Sequence, residues 1–405
     1  MARRAAEPSA AATLAVAPLR PAAGSVGGRA PGPGREGSMA SVKDVARSAG
    51  VSVGTVSNVL NRPEGVSPVL RERVERAIAD LGFVRNESAR QLRAGSSRTI
   101  AVVVLDVANP FFADVVAGAD EAAEEHDDLV IVCSSAGSAE REARHLRRLE
   151  QQRVLGVLLS PVDNAPGAAQ VEVRRRGTPV VLLDRGTPDP GQSSVAVDDV
   201  RGGALAGEHL LSLGHRRLGF VGGPLGLRQV AERLEGLRSV AAAAGARVDV
   251  VESAGTSVRA GSQAAAQVLG LPPGERPTAL LCANDLLAIG VLNECLRRGV
   301  RVPDDVALVG YDDISFAATT TVALTSVRQP RQLLGRTAVR LLLDQVGPRR
   351  PPVAGSSAPP AGSRAGEQVV FAPELVVRAS TTGGRGASGR GLLASSTTGP
   401  VRPGP

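Results

Sequence analysis

Residues 41–95 read SVKDVARSAGVSVGTVSNVLNRPEGVSPVLRERVERAIADLGFVRNESARQLRAG, and their spacing decides how the rest of the chain is read. Ser41 is a favourable N-cap, and Asp44 is the acidic partner of a capping box. Val45, Ala46 and Ala49 recur at helical spacing, and Gly50 supplies a turn in which a positive φ costs glycine least. Ser52 caps a second short helix whose apolar face is Val56, Val59 and Leu60. Two helices across one glycine turn make a helix-turn-helix, whose second helix enters the DNA major groove. Ser67 with Pro68 opens a third helix, with a predicted buried stripe of Val74, Ala77, Ile78 and Leu81.

These residues resemble the headpiece of the LacI family of bacterial transcription regulators. The resemblance puts Val53, Gly54, Ser57 and Asn58 at the exposed start of the recognition helix. Thr55 and Ser57 then donate to phosphates, which position the helix without reading sequence. Asn58 pairs with a base edge and Val53 packs on a thymine methyl. Gly54 has no side chain where many members carry a longer reader. Ser41, Asn61, Asn86 and Ala89 complete the expected contacts with double-stranded DNA. In the family, residues 86–93 form a hinge helix that orders on the operator, and Leu92 falls at the position of a minor-groove wedge. Such a wedge unstacks a base step in return for wrapping contacts on the bent duplex. Arg85 stands where members often have proline.

Charge follows the same division. The 405 residues carry a net charge of +7. Residues 1–40 hold five Arg against two Glu, residues 41–95 nine basic against six acidic groups, and residues 381–405 three Arg. The remaining body is therefore slightly acidic, and a basic headpiece on such a body suits a local nucleic-acid contact. Lys43 is the only lysine, which we read as coding bias. Cys133, Cys282 and Cys295 show neither metal-ligand spacing nor an even disulfide framework, and fit a reducing cytoplasm. There is no run of 18 apolar residues to span a membrane. Residues 1–38 are rich in Ala, Pro, Gly and Arg and are expected to be disordered. Their short apolar run is interrupted by Pro18, unlike a signal peptide, and Met39 is the expected start of translation.

From Arg98 onward, apolar strands such as TIAVVV alternate with amphipathic helices, the signature of parallel sheets in an α/β body. Its length suggests two lobes. The resemblance extends here through DVANPFFADVVAGADEAA (106–123), VLGVLLSP (154–161), VVLLDR (180–185), GEHLLSLGHRRLGFVGGP (207–224), CANDLLAIGVL (282–292), RVPDDVALVGYDD (301–313) and ALTSVRQP (323–330). It implies a regulatory domain with the two-lobed fold of periplasmic sugar-binding proteins, crossed three times by the chain. The expected domains are a headpiece over 39–85, a hinge and linker over 86–97, and a ligand-binding and dimerisation body over 98–382. The first lobe is placed at 98–162 with 300–328, and the second at 163–299 with 329–380. A flexible insert over 347–368 precedes one last strand, and 383–405 reads as a disordered tail.

By resemblance, the cleft residues include Phe111, Phe112, Asp184, Arg185, Arg233 and Asp285. Asp285 can accept two sugar hydroxyls, Arg233 can donate a planar fork, and a phenylalanine can offer an apolar face. Asp285 can equally cap the helix after it, Arg185 can be a solvated strand-end charge, and one phenylalanine can be core. Thr256 stands where some members place an aromatic platform. With no Trp, one Tyr and six Phe, stacking surface is scarce, which favours a small polyol or monosaccharide effector.

No cofactor or metal is expected. His126, His145, His209 and His215 form no HExxH pattern, the glycine-rich GFVGGPLG at 219–226 is neither GxGxxG nor a Walker loop, and no G-x-S-x-G occurs. The sequence therefore points away from an enzyme. It points toward a cytoplasmic repressor, a homodimer on a pseudo-palindromic operator, controlled by a small molecule. No heptad-bearing helix follows Thr382, which favours a dimer over a tetramer.

Overall fold

The computed structural model describes residues 40–83, 97–347 and 366–382, in two compact units that divide after Ala89. The expectations for Met39, Arg85, Asn86, Ala89, Leu92, the insert at 348–365 and both chain ends fall outside the described residues.

In the first unit the helices are α1 (Val42–Ala49), α2 (Val53–Asn61) and α3 (Pro68–Leu81). Each begins where local chemistry permits. Ser41 Oγ accepts from Asp44 N, and Asp44 Oδ2 accepts from Ser41 N at 3.0 Å, closing the capping box. Gly50 ends α1 at φ +62°, and Ser52 Oγ accepts from Thr55 N at 3.0 Å to start α2. The Ser67 side chain makes no cap bond, so Pro68, preset in φ at the first position, does that work alone. The core is Val45, Ala46, Ala49, Val56, Val59, Val74 and Ala77, with Leu60 and Ile78 half-buried against it. Leu81, expected in the buried stripe, is 39% exposed, because α3 outruns the two shorter helices it covers.

The second unit holds two six-stranded sheets. The first contains β1 (Thr99–Val104), β2 (Leu129–Ser134), β3 (Gly156–Leu159), β4 (Val180–Leu183), β5 (Ser194–Val197) and β11 (Gln368–Phe371), in the order β11-β5-β4-β3-β1-β2. The second contains β6 (Arg217–Gly222), β7 (Arg247–Glu252), β8 (Ala279–Cys282), β9 (Ala307–Asp312), β10 (Thr325–Arg328) and β12 (Glu374–Val376), in the order β12-β10-β9-β8-β6-β7. All pairs are parallel except β10 with β12. Central strands are buried on both faces, which is why they read as unbroken apolar runs.

This topology corrects the expected lobe boundaries. Strands β4 and β5 join the first sheet, with Val157 opposite Val180, so residues 163–197 belong to the first lobe. Strands β9 and β10 join the second, with Ala307 opposite Ala279, so 300–328 belongs there. Helix 331–346 returns to the first lobe, where it packs on β3, β4 and β5. The single last strand is in fact two, one per lobe, separated at Pro373, which has no N–H for a ladder. Three crossings between lobes remain, near 198, 329 and 372.

The helices of this unit are α4 (Pro110–Glu124), α5 (Ala139–Gln151), α6 (Ala168–Arg175), α7 (Asp199–Ser212), α8 (Arg228–Ala243), α9 (Val258–Gly270), α10 (Asp285–Arg297), α11 (Arg331–Val346) and the short α12 (Ala379–Thr382). Helices α4 and α11 touch backbone to backbone. A Cβ on Gly118 would sit 2.1 Å from the Gln332 carbonyl oxygen, and one on Gly335 2.0 Å from that of Val115. Glycine is required there for close approach.

Candidate ligand cleft and nucleic-acid interface

In the second unit, strand ends of both lobes meet around a cavity of about 400 Å³. The first lobe contributes Asn109, Phe111, Phe112 and Asp184; the second contributes Gln229, Arg233, Thr256, Asn284 and Asp312. Asn109 caps α4, accepting from Phe111 N at 3.0 Å. That cap aims both phenylalanines inward, with ring centroids 5.0 Å apart and planes at 77°. Both belong to the first lobe's core and border the cavity as well.

Arg233 anchors the opposite wall. Its Nε donates to Asp199 at 2.8 Å, its Nη1 to the Ala283 carbonyl at 2.6 Å, and its guanidinium lies 3.7 Å above the Tyr311 ring. Asp312 is 3.7 Å from Nη1. Burial works to discharge Arg233, but Asp199, Tyr311, Asp312 and Asp184 outweigh it and raise its pKa. Asp184, at φ +58° just after β4, is pushed well above the usual carboxylate range by burial, then by Asp199 and Asp312. Its Oδ1 is buried and accepts no hydrogen bond from the protein.

Two expected residues are off the cavity wall. Arg185 donates to the Asp163 and Asn164 carbonyls and so fixes the loop after β3. Asp285 is 0% exposed, accepting from Ser326 Oγ at 2.6 Å and Ile314 N at 2.8 Å. The helix cap weighed for Asp285 is made by Asn284, whose Oδ1 accepts from Leu287 N at 2.9 Å. Asn109, Gln229, Asn284 and Asp312 were missed. Asn109-Pro110 and Asn284-Asp285 do carry cap signals, whereas nothing local marks Gln229.

The lobes are also bonded directly. Gln229 Nε2 donates to the Asp184 carbonyl at 2.9 Å and to its Oδ2 at 3.1 Å. Asn164 Nδ2 donates to the Gly226 carbonyl at 2.9 Å.

Asp312, held beside Arg233, accepts from Gln329 Nε2 at 2.7 Å, yet burial pushes its pKa up to about 6. A carboxyl with a raised folded pKa contributes stability below its unfolded value and loses it as pH rises through the folded one. We therefore expect Asp312→Asn to remove part of the fall in melting temperature between about pH 4 and 7. Parallel melting-temperature profiles for the two proteins would refute this.

In the first unit, Val53, Gly54 and Asn58 are exposed on α2, while Thr55 and Ser57 are half-buried. The amino end of α2 is electropositive, which favours a phosphate. The Thr55 hydroxyl lies 2.9 Å from Ser52 Oγ, and Asn61 Nδ2 donates back to the Ser57 carbonyl at 2.7 Å. The Ser41 hydroxyl donates to Asp44 at 2.6 Å within the capping box.

Residues 41–86 match the family described as "Bacterial regulatory proteins, lacI family", and residues 207–381 match a periplasmic binding protein-like domain. The HTH-type transcriptional repressor PurR of Photobacterium profundum is 33% identical over 310 residues, covering 76% of this chain and 92% of that protein. The chain belongs to the lacI family of bacterial regulatory proteins. The ribose operon repressor of Escherichia coli is also similar to this lacI-family chain, at 34% identity over 76% of it and 93% of that repressor. Among solved structures, the lac repressor dimer bound to operator and the anti-inducer ONPF superposes with a TM-score of 0.73, at 29% identity over 85% of this chain and 99% of that one. This lacI-family chain is accordingly a DNA-binding transcription regulator. No helix among its described residues is long and apolar enough to cross a membrane.

Proposed function

We propose that this regulator represses transcription as a cytoplasmic homodimer on a pseudo-palindromic operator, and that a small hydroxyl-bearing metabolite, such as a sugar, sets its operator affinity from the cleft. The cleft itself carries this reading: a cavity walled by both lobes, with the buried, unpartnered Asp184 Oδ1 opposite an anchored Arg233. A ligand that meets Asp184 and Arg233 bears on both lobes at once, and closure of two lobes can report occupancy. Phe111 and Phe112 supply the apolar wall. Arg185 and Asp285 act by positioning, one holding the 163–164 loop and the other the turn at Ile314. No bond-making chemistry is called for, and we assign no enzymatic activity.

Val53 and Asn58 read bases in this scheme, and Gly54 brings only backbone to the same helix start. Thr55, Ser57, Ser41 and Asn61 meet phosphates in the same scheme. Asn86, Ala89 and Leu92 act from a hinge over 86–97, between a headpiece over 39–85 and a body over 98–382. One headpiece buries too little surface to specify a long site, so a two-fold dimer is required.

The test is selection of bound sites from random DNA with the whole chain. A two-fold symmetric consensus with a central pyrimidine–purine step is the expected result, since such steps kink most readily. Enrichment of an asymmetric site with no second half would overturn the dimeric reading, and no enrichment by folded protein, with or without added sugars, would overturn the repressor itself.

A further inference from the structure

Helix α3 carries three arginines, and they are used differently. Arg71 and Arg76 pair along their own helix, with Glu75 and Glu72. Arg73 reaches off the helix instead. Its Nη2 donates to the Ala49 carbonyl at 2.5 Å and lies 3.4 Å from the Gly50 carbonyl, 24 and 23 residues back in the chain. Those carbonyls belong to the last residue of α1 and to the turn that leads into α2. Among the described residues, Arg73 is the only side chain of α3 bonded to that turn.

The last carbonyls of a helix have no partner within it. In α1, those of Ala46 and Arg47 accept from Val51 N at 3.0 Å and Gly50 N at 3.3 Å. The Ala49 carbonyl is met from α3 by Arg73, and a guanidinium also suits the negative end of the helix dipole. The fit over the turn is close. A Cβ on Gly50 would sit 2.9 Å from Arg73 Nη2, so a side chain there would displace the guanidinium. Two residues on, Ser52 caps α2, and Val53 opens its exposed face. The turn held by Arg73 is therefore the one that sets where α2 begins and how it is aimed.

We propose that Arg73 is a positioning residue for DNA recognition, acting through the turn and not on the duplex itself. This rests on α2 being the helix that reads the operator. Hydrogen bonds weaken steeply as they bend, so base-edge contacts made from the start of α2 suffer most from a small tilt of that helix. Attraction to phosphates is sequence-independent and acts at longer range, so it tolerates the same tilt. A loosened turn costs specific binding and spares non-specific binding.

Arg73→Met keeps much of the stem and removes the donors. It is measured in the whole chain against two duplexes, the site selected from random DNA and a scrambled duplex of the same length. For the selected duplex the expected loss is at least about tenfold, the scale of one charge-assisted hydrogen bond. The scrambled duplex should stay within about threefold of its parent affinity. The amides of Val51 and Thr55 should exchange faster with solvent, while that of Val74 in the headpiece core stays protected. Arg73→Lys, which keeps the charge and one point of contact, recovers part of the loss. Parent affinity of Arg73→Met for the selected duplex, with Asn58→Ala weakened, overturns the positioning role alone. Loss on both duplexes, with a salt slope shallower by about one, means that Arg73 meets a phosphate directly and also overturns it. So does loss of protection throughout the headpiece, which makes Arg73 a residue of stability only. Asn58→Ala binding as the parent does would remove α2 as the reader, and the positioning role with it.

Discussion

Arg233→Met is expected to lower the melting temperature of the body by on the order of 10 °C and to abolish the effector response. Arg233 is the buried cation facing Asp199, Asp312 and Asp184, and it is nearly sealed from solvent. Methionine fills much of its volume but leaves those carboxylates without a counter-charge. Removing one member of a buried ion pair costs about 3–5 kcal/mol, because the partner stays desolvated. The sign with pH is fixed. Without Arg233, which lowers it, the folded pKa of Asp312 moves further up, so the variant is least impaired in acid and loses ground as pH rises. Melts at about pH 5 and pH 8 should therefore diverge from the parent more at the higher value. A melting temperature within about 2 °C of the parent at both would sink the argument.

Val56→Asp should unfold the headpiece and leave the body intact. Val56 is fully buried, with Val45 and Val74 around it, in a core of seven small side chains. Domains this small have only a few kcal/mol to lose. An unpaired carboxylate in that core costs at least as much. Operator binding should fall by at least about 100-fold, which corresponds to roughly 2.7 kcal/mol. Calorimetry should show the body's transition unmoved, as the two units are separately compact. Wild-type operator affinity in Val56→Asp would mean that the helices are held by something other than this core.

The headpiece was legible because its signals are local. Ser41, Asp44, Gly50 and Ser52 each act within a few residues of themselves, and each does what its position foretold. The lobe boundaries were not legible, because membership of a sheet is settled by pairing across the chain: β11 pairs with β5 from more than 170 residues away. The cleft falls between. Asp184 and Arg233 were found through the resemblance. Arg185 and Asp285 are the same residue types as Arg233 and Asp184, but their hydrogen bonds go to distant partners, the loop at Asp163 and Ser326 respectively. Asp312 was hidden in YDD, a stretch in which only the backbone, at φ +101°, distinguishes it from an ordinary strand end.

The hydrogen bonds from Gln229 to Asp184 and from Asn164 to Gly226 join lobe to lobe through protein groups alone. Each net bond of this kind contributes about 1 kcal/mol, roughly a fivefold bias in an equilibrium. An effector can move the equilibrium between lobe arrangements only by its preference for one over the other. The bias already written into the chain sets the resting point from which it works. It therefore bears on the level of transcription in the absence of the effector, and on how wide a span of gene output is left for the effector to command.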